Sequence, residues 1–369
     1  MRVANSLGAI ENLLKGQLKY LQNFFDVVAV APDGENIQEV ELQQNTRIIS
    51  LNMKRRFDIW GDLICLIKFI KIIRKEKPDL IHSITPKAGL LSMIAGFLCR
   101  TPHRVHTFTG LVFPTSKGIK REILKFTDKI TCFCATHVIA EGIGVKNNLI
   151  NYNITNKQIS IIGYGNINGV DLDYYYPKYE PHDNFTFIFC GRIVRDKGMN
   201  ELATAFKKLI VSYPNIELLL VGKFEDDLDP IEPTSKSFFL NCKNVKLYPW
   251  QNDIRPFFHK ADILVFPSYR EGFPNIVLQS NAMGVPCIAT DINGCNDIIK
   301  DRYNGYLIAP QDINALYQKM EYVINHKSEI KAMQENCRKE IALKYEQHFV
   351  WNEIIKEYNA LLNIKIKCH

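Results

Sequence analysis

Short apolar runs of strand length alternate along this chain with longer stretches in which apolar residues recur every three or four positions, a pattern that predicts parallel sheets covered by helices. In the first half, strands are predicted at 25–31, 79–83, 103–108 and 136–140. The strongest helical pattern spans 57–76, where Trp60, Leu63, Ile64, Ile67, Ile70 and Ile73 share one face and lysines take the other. Burial of that stripe on the sheet is the expectation, and its width leaves an edge for membrane contact. The stretch 158–182, dense in Gly, Asn, Tyr and Pro, predicts a linker. Beyond it, strands at 185–190, 216–221, 245–248, 262–266 and 286–290 alternate with helices at about 198–212, 253–259, 274–283 and 312–325. The tail, roughly 328–362, predicts long helical segments with Tyr345, Phe349, Trp351, Ile354, Ile355 and Tyr358 as a face for docking. The expected fold class is α/β, with two Rossmann-like doubly wound domains facing each other across a cleft that collects strand-end residues. Domains are predicted at 1–164 and 165–345, with 346–369 a C-terminal helix packing back on the first.

Composition narrows the class. A length of 369 residues suits two domains, each able to bury a core. Hydrophobic content of 46% and charged content of 23% are those of a soluble globular protein. The longest apolar run, 90–99, falls far short of the ~18 residues a membrane span needs, and the N-terminus resembles no secretory signal. A cytoplasmic protein is expected. Its ten cysteines are scattered without CxxC or paired Cys/His spacing, which predicts reduced thiols rather than disulfides or a metal site.

Charge is distributed unevenly. Residues 1–150 hold 21 Lys+Arg against 13 Asp+Glu, a balance of +8, whereas 151–369 hold 25 against 26, or −1. The basic clusters are Lys54-Arg55-Arg56, then Lys68, Lys71, Arg74, Lys75 and Lys77, then Lys117, Lys120, Arg121, Lys125 and Lys129. Two readings stand side by side: solvated helix faces, or a surface for anionic lipid head groups or a pyrophosphate-bearing acceptor. No nucleic-acid motif accompanies the charge.

Candidate chemistry concentrates at two strand ends of the second half. After the strand FTFIFC comes Gly191-Arg192-Ile193-Val194-Arg195-Asp196-Lys197-Gly198, a turn that delivers the fixed charges of Arg192 and Lys197. A guanidinium fork and a mobile ammonium suit a pyrophosphate leaving group. Arg195 reads equally as a solvated loop charge. The second segment runs from Val265 to Asn296. There Gly272 permits a tight turn and Pro274 suits the first helical position, so the amides of Asn275 and Ile276 would point outward as an anion cradle. Glu271 stands just before that positive end, where a carboxylate suggests hydroxyl recognition.

Together GRIVRDKG, EGFPNIVLQSNAMGVPCIATDINGCNDII, NGVDLDYYYP and SITPKAG resemble glycosyltransferase family 4, over nearly the whole chain. The resemblance implies a GT-B fold and a retaining, metal-independent, hexosyltransferase-type enzyme that uses a nucleotide sugar, most simply a UDP sugar. It is closest to bacterial members that assemble capsule, O-antigen or exopolysaccharide. It assigns Gly191, Arg192 and Lys197 to the donor diphosphate and Glu271 to the donor-sugar hydroxyls. Gly272, Phe273, Pro274, Asn275 and Ile276 complete the cradle, and Trp250 and Gln251 lie beside the nucleobase. Trp250 either stacks there or plugs the core. No cofactor or metal is expected. The implied partners are the nucleotide-sugar donor and a saccharide or polyprenyl-diphosphate-linked acceptor; peripheral contact with an anionic membrane, at the inner face of the plasma membrane, is a separate expectation that rests on the basic first half.

Three positions depart from the family pattern. Gln279 stands where a second glutamate, eight positions after Glu271, would hold the ribose. A histidine is usual where Thr109 precedes Gly110; either His106 swings in or Thr109 replaces it as a neutral partner. Gly8 is single where two glycines are common. On the acceptor side, His82, Thr85 and Lys87 are expected to contribute, with Lys87 pairing an acceptor phosphate. The alternatives are a catalytically weak binding or scaffold protein on the same fold, and a GT-B nucleotide-sugar epimerase.

Overall fold

The computed structural model describes residues 1–53, 58–180, 183–227 and 229–363. The basic run 54–56 and the end of the predicted linker lie outside these residues. The chain divides into two units, Met1–Gly169 with Gln347–His369, and Val170–Glu346. The first boundary therefore falls beyond residue 164, after a turn in which Asn166 Oδ1 accepts from the amides of Asn168 and Gly169.

The first unit is built on seven parallel strands, β1 (Arg2–Val3), β2 (Ala29–Ala31), β3 (Ile48–Ser50), β4 (Leu80–Ile84), β5 (His103–Phe108), β6 (His137–Ala140) and β7 (Ile159–Ser160), in the order β3-β2-β1-β4-β5-β6-β7. Its helices are α1 (Gln17–Leu21), α2 (Ile37–Gln44), α3 (Ile59–Glu76), α4 (Pro86–Leu98), α5 (Gly118–Cys134) and α6 (Ile143–Asn151). One apolar layer joins α3, α4 and α5 to the sheet through Cys65, Phe69, Ile73, Leu91, Met93 and Cys132. The opposite layer holds Ile10, Leu18 and Val40 together with Val350, Ile354, Ile355 and Tyr358 of the chain's last helix (Gln347–Leu362).

Helix α3 starts where Asp58 Oδ1 accepts from the Gly61 amide at 3.1 Å, a side-chain N-cap. Its burial corrects the stripe expected from periodicity. Phe69, Cys65 and Ile73 face the sheet, whereas Trp60 (77% exposed), Leu63, Ile64 and Ile67 face solvent. Helical spacing makes two overlapping apolar faces here, and the buried one is the face that lacks the exposed Lys68, Lys71, Arg74 and Lys75.

The second unit carries six parallel strands, β8 (Phe185–Cys190), β9 (Ile216–Val221), β10 (Val245–Tyr248), β11 (Ile263–Phe266), β12 (Cys287–Thr290) and β13 (Gly305–Ile308), in the order β10-β9-β8-β11-β12-β13. Every residue of β8 and β11 is buried, as parallel strands covered on both faces require. The helices are α7 (Met199–Ser212), α8 (Pro233–Asn241), α9 (Arg255–Phe258), α10 (Asn275–Ala282), α11 (Cys295–Ile298), α12 (Ile313–Asn325) and α13 (Lys327–Lys344). Both sheets are Rossmann-like. In each, the strand order reverses direction beside the first strand of the unit, β1 or β8, the place where such sheets bind ligands at their carboxyl ends.

Candidate active site

Two turns meet at the carboxyl ends of β8 and β11. The first leaves β8 at Gly191 and closes in a short 3-10 turn, Arg195–Lys197, before α7. Gly198 holds φ +71°, and a Cβ there would strike the Pro267 carbonyl oxygen at 2.0 Å, so only glycine lets the two turns approach. The second turn runs from Pro267 to Pro274. The Tyr269 amide donates to the Asp196 carbonyl at 2.8 Å, and Arg270 Nε donates to Asp196 Oδ2 at 2.9 Å, which ties the turns side by side.

At the centre Lys197 Nζ donates to Glu271 Oε1, and both side chains are largely buried. Ser268 Oγ donates to the same oxygen at 2.6 Å. Thr290 Oγ1 in turn donates to the Ser268 carbonyl, and Lys197 Nζ lies 5.0 Å above the Phe266 ring. Glu271 is thus aimed by two donors, with Oε2 remaining as an acceptor. Ser268 was not singled out from sequence, although it stands three residues before Glu271 in the same turn.

The remaining charges of the first turn are committed differently. Arg192 pairs with Glu225 at 2.9 Å and stays more than a third exposed, which leaves most of its donor fork available. Asp229 Oδ2 accepts from the Asp196 amide at 2.6 Å, and Oδ1 pairs with Arg195 at 3.3 Å. The acidic segment around 225–229 therefore braces this turn. Asp171 is likewise local, capping the amides of Asp173 and Tyr174.

Helix α10 begins at Asn275, one residue later than expected, with Pro274 as its extended N-cap. Helical bonding starts where Val277 N donates to the Pro274 carbonyl, so the amides of Asn275 and Ile276 precede it. Asn275, Ile276 and Gln279 form the less buried face of α10, and Val277, Leu278, Ser280 and Asn281 the buried one. Phe273 corrects its expected role. Its ring is 6% exposed and packs on Tyr345 at 5.4 Å, so only its backbone remains for a ligand. Trp250 is 61% exposed in the segment after β10, which removes the core-plug alternative, and Gln251 beside it donates to the Pro249 carbonyl.

In the first unit the two candidate imidazoles, His82 and His106, are buried. His82 in β4 is 2% exposed; its Nδ1 accepts from Arg2, and its Nε2 donates to Thr107 Oγ1 at 2.7 Å. Tyr358 completes this group by accepting from Arg2 at 2.7 Å. His106 is 1% exposed, bonded to Ser83 Oγ at 2.9 Å and edge-on to Phe108. It lies so close beneath α4 that a Cβ on Gly89 would meet its ring at 2.3 Å. Burial lowers both imidazoles, His106 to about 3, so they are neutral. These are corrections: His82 and His106 are committed to packing and hydrogen bonding inside the sheet, because a parallel sheet covered on both faces encloses both sides of its central strands. Thr109, just past the end of β5, is half-buried. Thr85 holds φ +74°, rare for a branched residue, and its Oγ1 accepts from the Asn5 amide. Lys87 is also corrected, since its ammonium is held by Asp62 of α3 at 2.7 Å. Gly8 is exposed beyond β1 with φ −60°, a conformation open to any residue.

Known proteins resemble this chain in sequence and fold. The family model described as Glycosyl transferases group 1 matches residues 177–340, and the one described as Glycosyltransferase Family 4 matches residues 10–174. The chain is 33% identical over 361 residues, 95% of its length and 94% of the relative's, to the capsular polysaccharide biosynthesis glycosyltransferase CapM of Staphylococcus aureus. It is 30% identical over 304 residues, 78% of this chain and 76% of the relative, to the UDP-Gal:alpha-D-GlcNAc-diphosphoundecaprenol alpha-1,3-galactosyltransferase of Escherichia coli. Among solved structures, sucrose-phosphate synthase from Thermosynechococcus elongatus superposes with a TM-score of 0.81 at 20% identity, covering 98% of each chain.

Proposed function

Because this chain belongs to glycosyltransferase family 4 and has the GT-B fold, we propose that it transfers a sugar from a nucleotide sugar, most simply a UDP sugar, to a saccharide or polyprenyl-diphosphate-linked acceptor in the synthesis of a bacterial surface polysaccharide. The observation that carries this reading is the Lys197–Glu271–Ser268 cluster beside the start of α10. Glu271 is oriented to accept from sugar hydroxyls. Lys197, Arg192 and the first-turn amides of α10 offset the charge that develops on a departing diphosphate. The names of the capsule and diphosphoundecaprenol relatives support the acceptor class and the UDP donor.

The transfer is proposed to retain the anomeric configuration and to need no metal, with Arg192 and Lys197 supplying the positive charge that a divalent ion supplies elsewhere. Thr109, at the end of β5, is proposed as a neutral partner near the reacting hydroxyl in place of an imidazole. Work at the cytoplasmic face of the membrane follows from a lipid-linked acceptor; among the described residues no helix is long and apolar enough to cross a bilayer.

Incubation of the purified chain with a panel of nucleotide sugars, with and without diphosphate-lipid acceptors, tests this reading. Acceptor-dependent nucleotide release is expected, unaffected by EDTA, with an axial or equatorial linkage matching the donor anomer by NMR. An isomerised sugar without transfer would instead identify an epimerase, and no turnover of any donor would overturn the reading.

A further inference from the structure

Helices α3 and α5 cover the same face of the first sheet, each packed against α4, which lies between them. Both present apolar side chains outward at helical spacing. On α3 these are Ile59 (82% exposed), Trp60, Leu63, Ile64 and Ile67; on α5 they are Ile119 (82%), Ile123, Phe126 (63%) and Phe133. Among the described residues nothing covers these rows, and scattered single exposures do not produce rows of this extent. The rows are flanked by cations. Lys68, Lys71, Arg74 and Lys75 are exposed along the second half of α3, and Lys117, Lys120 and Lys129 along α5. The acids nearby are mostly neutralised: Asp62 pairs with Lys87, Glu76 with Arg47 and Glu122 with Lys125. Asp128 is pushed up to about 7 by burial.

We propose that the outer faces of α3 and α5 are a docking surface for an anionic lipid bilayer, with Trp60, Ile64, Ile67, Ile119, Ile123 and Phe126 entering the interface and the lysine rows meeting lipid phosphates. Apolar side chains beside exposed Lys and Arg, with a Trp at the end of the row, are the chemistry of an interfacial helix. Charge selects the occupant. Two copies of this chain pressed together through an isologous contact would set lysine row against lysine row, whereas an anionic surface neutralises both. The geometry also suits the acceptor. In this parallel arrangement the helices start at the carboxyl edge of the sheet, the edge that carries Thr85 and Thr109, so Trp60 and Ile119 would sit in the interface at that edge. The purpose of the surface rests on the lipid-linked acceptor proposed above, but its existence is read independently of transfer.

The test is flotation of the full chain with phosphatidylglycerol-containing vesicles and with phosphatidylcholine vesicles, followed by Trp emission. Binding to the anionic vesicles is expected, weakened but not abolished by high salt because part of it is apolar, with a blue shift that Trp60→Phe removes. The combined variant Ile64→Gln, Ile67→Gln, Ile123→Gln and Phe126→Gln alters exposed positions only. It is expected to keep the parent's thermal unfolding and its turnover of a water-soluble acceptor, while its vesicle partitioning falls at least tenfold. No flotation with anionic vesicles at low salt, or equal flotation of the parent and the folded variant, would overturn the proposal. So would a self-associated parent that the variant converts to monomer in sedimentation equilibrium. Flotation without turnover of any donor would count against the transferase reading and leave this one standing.

Discussion

Lys197 and Glu271 stand just past the ends of β8 and β11, while His82 and His106 stand inside β4 and β5. All four are chemistry-bearing side chains in or near the central strands of a parallel sheet. The difference is a few residues of chain. Past a strand end, the backbone turns and the side chain keeps an open side; Lys197 and Glu271 share one bond and retain further donors and acceptors. Within a strand covered by helices, the side chain meets only protein, and its polar atoms must be satisfied there. His82 has Arg2 and Thr107, and His106 has Ser83. The lesson is that a titratable residue near a sheet's carboxyl edge stays open to a ligand by lying beyond the last ladder bond, not merely by being close to it.

This contrast can be broken most directly at Lys197. Lys197→Ala is expected to lower kcat about 10²–10³-fold, the scale for losing a transition-state electrostatic partner, with unchanged far-UV circular dichroism. Full turnover in the variant would remove the cluster from the mechanism. His106→Ala should behave oppositely, keeping kcat within about threefold of the parent while lowering the urea midpoint. A loss of turnover as large as that of Lys197→Ala, in a folded protein, would restore His106 to the chemistry.

Stability sharpens the same point. Gly89→Ala places a methyl 2.3 Å from the His106 ring and is expected to cost about 1–3 kcal/mol in urea unfolding. In a Gly89→Ala, His106→Ala double variant that cost should shrink, because the ring that clashes is gone; full additivity would show that the clash is not with the imidazole. Acid supplies a further reading. Folded His106 titrates at about 3 against an ordinary 6.5, so in that window the unfolded chain binds the additional proton and stability falls as pH drops from 6.5 toward 3. His82 shifts in the same direction. The decline should be shallower in His106→Ala, measured as unfolding temperature against pH.

The smallest effect concerns Gln279, on the less buried face of α10 with Asn275. Gln279→Glu adds a charge-assisted acceptor and is expected to tighten nucleotide binding by roughly three- to tenfold, about 1 kcal/mol. Titration calorimetry with the nucleoside diphosphate checks it, and weaker binding would mean that the ribose lies elsewhere.

Much of this molecule was legible in the order of its residues. The strands 103–108, 185–190, 216–221 and 245–248 coincide with β5, β8, β9 and β10, since each is a short stretch rich in β-branched, aromatic or other apolar residues bounded by Asn, Pro, Gly or Thr. The strands β1, β3 and β7 escaped notice because two or three residues cannot display a period, and β13 because it opens on Gly305. Lys197 and Glu271 announce themselves through glycine- and proline-marked turns. Ser268, and the brace from Asp229 to the Asp196 amide, do not, because they join parts of the chain through space. The Trp60 stripe was legible as apolar, but not which way it faced.

By itself, then, the amino-acid order determined that two parallel α/β sheets would form and that charged turns would follow β8 and β11. Periodicity and turn chemistry are local, and the backbone obeys them locally. Only the tertiary structure decided which polar groups are spent and which remain open. It buried His82 and His106 and gave Lys87 to Asp62, while it left Trp250 and Trp60 exposed. Those outcomes depend on which helix covers which strand, and packing between distant segments is not written in the spacing of any one of them.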